Sequence, residues 1–178
     1  MNTMELLYSR KSVRSYTGEK VSEELLQTIL MAGQASPVGM GQYGNLHFTV
    51  IESPALLQKI DAAAGAMFGD PSRHPLYGAP TLILISVKAA GGEIGNVSYS
   101  NAAIAAHNMS LAAVDAGAGQ CLIWGAVRAL NDSPALVAEL GLPDGFVPAC
   151  GVTIGQTQQE YTLRDIPADR IGVTRLQA

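Results

Sequence analysis

Apolar positions along the chain follow two rhythms, one helical and one continuous. Met4, Leu7 and Tyr8 fall at i, i+3 and i+4, which predicts a helix from about Thr3 to Tyr8. Ser22 is a good N-cap, and Glu23 and Glu24 in the turn that follows suit the positive end of a helix dipole. The helix they open carries Leu25, Leu26, Ile29 and Leu30 and ends in the region of Gly33 to Pro37. Leu46 to Ile51 reads as a strand. Ser53-Pro54 opens another helix, with proline where its missing N–H is harmless, and Leu56, Leu57 and Ile60 form its apolar face. Thr81 to Val87 is apolar almost without a break, the pattern of a strand buried on both faces. The alanine-rich stretch Ser100 to Ala116 is the predicted central helix, stopped by Gly117 and Gly119. Gln120 to Trp124 is short and extended, Ser133-Pro134 begins a helix closed by Gly141, and Phe146 to Ile154 is a further buried strand. Helices alternate with a few strands, which predicts a sheet covered by helices, of mixed α/β character.

Composition narrows this. A chain of 178 residues suits one domain spanning 1–178, and no repeat, low-complexity tract or linker divides it. Only 15% of residues are charged, against about 25% in a typical globular chain. Intrinsic disorder is excluded, and the thin charge implies surface hidden in an oligomer or wrapped around a ligand. The net charge of −4 and a pI near 5.3 argue against general nucleic-acid binding. Ile94 to Val114 lacks charge and is long enough to span a bilayer, but Asn96, Ser98, Ser100, Asn101, His107, Asn108 and Ser110 would be costly there. It is read as a buried helix of a soluble protein with no membrane partner. Cys121 and Cys150 give neither a disulfide framework nor a metal-ligand spacing. The N-terminus lacks the layout of a signal peptide, so a cytoplasmic protein is expected.

Three segments could carry chemistry. Arg10-Lys11-Ser12-Val13-Arg14 gathers three of the 11 basic residues; if it is extended, Arg10, Ser12 and Arg14 share one side. That face could bind a phosphate or another anion, or could be a solvated basic turn. Ser36 to Asn45 holds three glycines within six residues, which let a backbone approach a flat ligand, yet it matches neither a P-loop nor a GxGxxG turn. Gly117 to Gly125 carries the sole tryptophan, Trp124, read either as core or as ligand-facing. Asn101 and Asn108 share one helix face and need partners. His47, His74 and His107 show no metal spacing and no nucleophile constellation, so any hard chemistry would belong to a cofactor.

Read together, these segments resemble the FMN-dependent nitroreductase family. The resemblance rests on Ser-Arg-Lys-Ser-Val-Arg-Ser-Tyr near the N-terminus, Ala-Ser-Pro-Val-Gly-Met-Gly before Asn-Leu-His-Phe-Thr-Val, and Tyr-Gly-Ala-Pro-Thr-Leu-Ile-Leu. Ala-His-Asn-Met-Ser-Leu-Ala-Ala, Gly-Ala-Gly-Gln-Cys-Leu-Ile-Trp-Gly and Pro-Ala-Cys-Gly-Val-Thr-Ile-Gly continue it in family order over nearly the whole chain. It implies an α+β fold with a central, mostly antiparallel sheet flanked by helices. It also implies an obligate homodimer with two FMN sites at the interface.

The resemblance places Arg10, Lys11, Ser12 and Arg14 on the flavin, with Arg14 facing its N1 and C2 carbonyl edge. Pro37, Val38, Gly39 and Gln42 would reach the ring from the other subunit. Ile123, Trp124 and Gly125 would line one ring face, with the Trp124 N–H toward N5, and Arg164 would bind the phosphate. NADH or NADPH would reduce the flavin, which would pass electrons to a nitroaromatic, a quinone or a similar small-molecule acceptor. A dehalogenase, a flavin-processing enzyme of the same fold and a non-catalytic flavin-binding dimer are the alternatives. Two departures stand out: Thr162 where many relatives carry lysine, and Gly-Gln-Tyr-Gly-Asn-Leu at 41–46 in place of Asn-x-Gln-Pro-Trp.

Overall fold

The structure, a computed structural model, describes residues 1–89, 91 and 93–177. Its elements are α1 (Thr3–Ser9), α2 (Glu23–Gln34), β1 (Leu46–Ile51), α3 (Pro54–Met67), β2 (Thr81–Lys88), α4 (Asn96–Asp115), β3 (Gly119–Ile123), α5 (Gly125–Asn131), α6 (Pro134–Glu139) and β4 (Phe146–Gly155). Two short 3-10 turns, Gly39–Gly41 and Tyr43–Asn45, lie in the loop before β1.

The unbroken apolar run becomes β2, and both of its faces are covered. Ile83, Ile85 and Val87 join Leu26 and Ile29 of α2 and Met109 of α4 in one buried cluster. Leu82 and Leu84 point the other way, into a cluster with Ile60 of α3 and Leu130 of α5. Alternation across a strand thus divides one apolar segment between two cores. The four strands pair in the order β1-β2-β4-β3, all antiparallel. This α+β sandwich of helices, sheet and helices is the architecture that the resemblance implied.

β4 is an inner strand that contains Pro148, which a central strand normally excludes. The register explains it. Ile85 pairs with Cys150 and Ser86 with Pro148, leaving Ala149 as the extra residue of a bulge. β3 has already ended at Ile123 opposite Gly151, so no strand meets Pro148 on that side.

Close approach of α2 to α4 depends on Gly33. A Cβ there would collide with the end of the Met109 side chain and sit 3.1 Å from Phe48 Cε2.

Two expectations need correction. The central helix begins at Asn96, not Ser100: its first turn shows no apolar face because Val97 and Tyr99 are exposed, so periodicity could not reveal it. The sequence reading also had no helix between the strand ending at Trp124 and Ser133. α5 fills that interval; its N-cap is Trp124 in the helical region, with no side-chain cap to announce it.

Candidate active site

The basic segment runs along the open edge of β3. The Val13 N–H donates to the Gln120 carbonyl at 2.8 Å, and further on the Thr17 N–H donates to the Gln156 carbonyl at 3.0 Å. The Tyr16 hydroxyl lies 2.8 Å from the Thr153 hydroxyl and fixes the same stretch from the sheet side. Pinned in this way, the segment presents its side chains around the end of β3. Burial raises the Cys121 thiol from its usual value; the Ser12 hydroxyl and then the Arg14 and Arg10 charges oppose that rise. The Arg14 guanidinium lies over the Tyr77 ring, 5.8 Å from its centroid. Tyr77 itself has a positive φ of 56°, which turns the loop before β2 toward this edge.

Arg164 joins the group from the C-terminal arm. Its Nε donates to the Tyr8 carbonyl at 2.8 Å and a terminal nitrogen donates to the Leu7 carbonyl at 3.1 Å, so it caps the C-terminus of α1. Burial lowers Arg164 from its usual value, and the neighbouring Arg10 and Arg170 charges lower it further. Arg170 thus adds a further positive charge within reach of Arg164. Among the described residues none of Arg10, Lys11, Arg14 and Arg164 forms an ion pair with a carboxylate. Like charges gathered without counter-charge repel one another, an arrangement that a bound anion relieves.

Ile123 is buried, whereas Trp124 is 48% exposed, so the tryptophan is not a core residue. It borders a cleft of about 400 Å³ with Phe68, Tyr99, Gly125 and Arg128. Gly125 is required here by contact: a Cβ would come within 2.5 Å of Phe68 Cζ, and Arg73 covers that ring 4.4 Å from its centroid. Phe68, Tyr77 and Tyr99 were not among the sequence candidates, because single aromatics in loops and at helix ends carry no periodic signal.

The glycine-rich loop takes another path. Asn108 Nδ2 donates to the Ser36 hydroxyl at 2.9 Å, and the Gly39 N–H donates to Asn101 Oδ1 at 3.2 Å. The two asparagines on one face of α4 therefore find their partners in this loop. Gln42 Oε1 accepts from Asn45 Nδ2 at 2.9 Å, which turns its side chain back on the loop. Among the described residues no hydrogen bond joins Pro37, Val38, Gly39 or Gln42 to the Arg10–Arg14 segment or to Trp124 of the same chain. The Asn101 and Asn108 bonds tie the loop to α4. His107 is half-buried, and its imidazole is lowered from its usual value by burial first and by Arg10 second.

Helices on both faces of an antiparallel sheet, with unpaired guanidiniums along one edge, define an α+β protein suited to an anionic ligand at that edge. The chain belongs to the nitroreductase family, whose model matches residues 7–156. A Methanothermobacter thermautotrophicus protein provisionally named NADH dehydrogenase/NAD(P)H nitroreductase is 28% identical over 178 residues, covering 96% of this chain and 86% of the relative. The Bacillus subtilis FMN reductase (NADPH) is 27% identical over 86% of this chain, which spans 65% of that relative's length. A crystal structure of a Bacteroides fragilis nitroreductase with bound FMN superposes with a TM-score of 0.83 at 24% identity, covering 98% of this chain and all of the other. That likeness establishes the shared fold. Among the described residues no helix is long and apolar enough to cross a membrane.

Proposed function

We propose that the protein is an FMN-dependent oxidoreductase that takes electrons from NADH or NADPH and delivers them to a nitroaromatic, a quinone or a similar small acceptor. The observations that carry this reading are the cations of the Arg10–Arg14 segment and Arg164, none paired with a carboxylate among the described residues, and the cleft bordered by the exposed Trp124. The relatives named as NAD(P)H nitroreductase and FMN reductase support the same chemistry.

The donor set fits FMN in kind. Guanidinium groups and the Ser12 hydroxyl suit a phosphate and a polyol chain, while Trp124, Phe68 and Tyr99 suit a planar ring system. When bound, the flavin supplies the redox chemistry, accepting hydride from the nicotinamide and returning electrons to the acceptor. Arg10 and Arg164 would hold the phosphate, and Ser12 would donate to the polyol chain. Arg14, over Tyr77, would face the pyrimidine edge and stabilise the negative charge that reduction brings there. The Trp124 N–H, at the start of α5, would donate to the ring, and the cleft beside it would receive a stacked substrate. Positioning and electrostatics are the protein's whole contribution; no side-chain acid or base is required.

The second half of each site comes from a twin. Exposed apolar side chains lie on α1 (Met4, Tyr8), on α4 (Val97, Ile104) and along the C-terminal arm (Ile171, Val173). Exposed hydrophobic side chains on neighbouring elements mark a surface that another chain covers. In a homodimer Pro37, Val38, Gly39 and Gln42 would complete the partner's site, in keeping with a loop fastened to α4. Gel filtration should give twice the chain mass at micromolar concentration; a stable monomer that binds FMN fully would remove the shared site. Two buried free thiols suit a reducing cytoplasm.

The test is direct. Purified protein supplied with FMN should retain it through desalting, and the flavin absorbance should bleach with NADH or NADPH and return with a nitrofuran or a quinone. Failure to take up FMN would sink the reading. Flavin bound but never reduced by either nicotinamide would favour the binding-only alternative, and turnover confined to a halogenated phenol would favour a dehalogenase.

A further inference from the structure

Gln120 is fully buried in β3, yet it joins separate parts of the chain. Its Oε1 accepts from the Ser110 hydroxyl of α4 at 2.7 Å, and its Nε2 donates to the Lys11 carbonyl at 2.6 Å. Its own carbonyl accepts the Val13 N–H at 2.8 Å. Tyr161 of the C-terminal arm packs against it and donates its hydroxyl to the Ala118 carbonyl at 2.8 Å. One residue therefore fixes main-chain groups at two alternate positions inside the Arg10–Arg14 stretch. That stretch lies outside regular structure; its other anchors are the buried Val13 side chain, the Arg10 N–H bonded to the Leu6 carbonyl and the Tyr16 hydroxyl on the Val13 carbonyl.

The chemistry of the side chain explains the choice of residue. A buried amide costs desolvation and rotamer entropy unless both of its ends are partnered. The Lys11 carbonyl can only accept, so the amide must present its NH2 group there, and that orientation turns its oxygen to α4, where the Ser110 hydroxyl donates. Ser110 thus partners the far end of the amide, and Gln120 ties the basic segment to α4. An apolar residue of similar volume would fill the space between β3 and α4 but leave the Lys11 carbonyl unheld.

We propose that Gln120 is the positioning residue of the cationic segment: by holding the Lys11 carbonyl and the Val13 amide against β3, it sets the spacing and direction of Arg10, Ser12 and Arg14. This deepens the cofactor reading above and rests on it for its functional consequence. It makes no contact with the cofactor itself. The residues that do so are correctly aimed because Gln120 fixes the backbone between them.

Gln120→Met keeps the volume and the main-chain bond to Val13 and removes both side-chain hydrogen bonds; Ser110→Ala removes only the donor to the amide oxygen. In the flavin-free proteins, amide hydrogen exchange over residues 10–14 should quicken about tenfold in Gln120→Met and about threefold in Ser110→Ala, with β2 and β4 unchanged. FMN should bind Gln120→Met roughly tenfold more weakly, and the potential of the bound flavin should move to more negative values because Arg14 is displaced. Unchanged exchange over 10–14, or exchange quickened evenly through the sheet, would overturn the proposal. So would a wild-type affinity and potential in a variant whose segment has loosened. If Gln120→Met does not fold, the graded response of Ser110→Ala decides the matter by the same readings. Should the wild-type protein take up no FMN, the cofactor reading fails by itself, and local exchange still judges the role of Gln120.

Discussion

Arg10→Ala should weaken FMN binding about 30-fold, whereas Arg14→Ala should chiefly move the flavin potential, by about 30 mV toward more negative values. The contrast follows from where the two guanidiniums stand. Arg10 lies at the end of α1, close enough to Arg164 and His107 to disfavour protonation of both. A charge-assisted bond to a phosphate contributes about 2 kcal/mol, which is roughly a 30-fold change in the dissociation constant. That bond is the same in both oxidation states, so its loss leaves the potential nearly untouched. Arg14, over Tyr77 at the other end of the segment, meets the ring edge where reduction places negative charge. About 1.4 kcal/mol of preferential stabilisation of the reduced form corresponds to about 30 mV for a two-electron couple, and its removal lowers the potential. Fluorescence titration and equilibrium redox titration separate the two effects. A reversed pattern would exchange the roles assigned here. One reading needs no flavin: in Arg10→Ala the His107 imidazole should titrate higher than in the wild type, because a neighbouring positive charge has been removed. An NMR titration with no upward shift would place Arg10 away from His107.

Ile83→Ala is expected to cost about 3 kcal/mol and to lower Tm by roughly 10 °C. Ile83 is completely buried, paired across the sheet with Val50 and Val152, and its side chain enters the cluster that α2 and α4 form with the sheet. With strands on both sides and helices above, the site cannot collapse around the missing atoms. The loss therefore includes the cavity as well as the transfer of the side chain. Denaturant unfolding should show a lower midpoint with an unchanged slope. A loss below about 1 kcal/mol would mean that the α2–α4 layer relaxes freely over the sheet.

Much of the site was legible as residue types but not as a place. The Arg10–Arg14 cluster stands out in a chain so poor in charge, and its extended course could be anticipated. That Gln120 holds it could not, because a single glutamine at a strand start looks like any polar residue until the strand edge is seen. Asn101 and Asn108 announced a need for partners, and the partners lie 62 and 72 residues away in sequence. Trp124 could be core or surface on composition; its exposure follows from β3 ending one residue earlier. Resemblance implies a phosphate role for Arg164; what the structure shows is its guanidinium capping the carbonyls of α1.

By itself the sequence determined most of the helices and strands, though not α5 or the first turn of α4, and that two strands are buried on both faces. Its shortage of charge also implied surface covered by something else. These are local properties: side-chain spacing sets the period, and the period says how many faces need cover. Only the tertiary structure decided the strand order β1-β2-β4-β3, the bulge that admits Pro148, and the meeting of residues 10–14 with residue 120 and of residue 164 with α1. Those contacts join segments from about thirty to more than a hundred and fifty residues apart, and no local pattern states which distant group will satisfy a given carbonyl. That choice is made collectively, when the sheet closes and every buried polar group must find a partner at once.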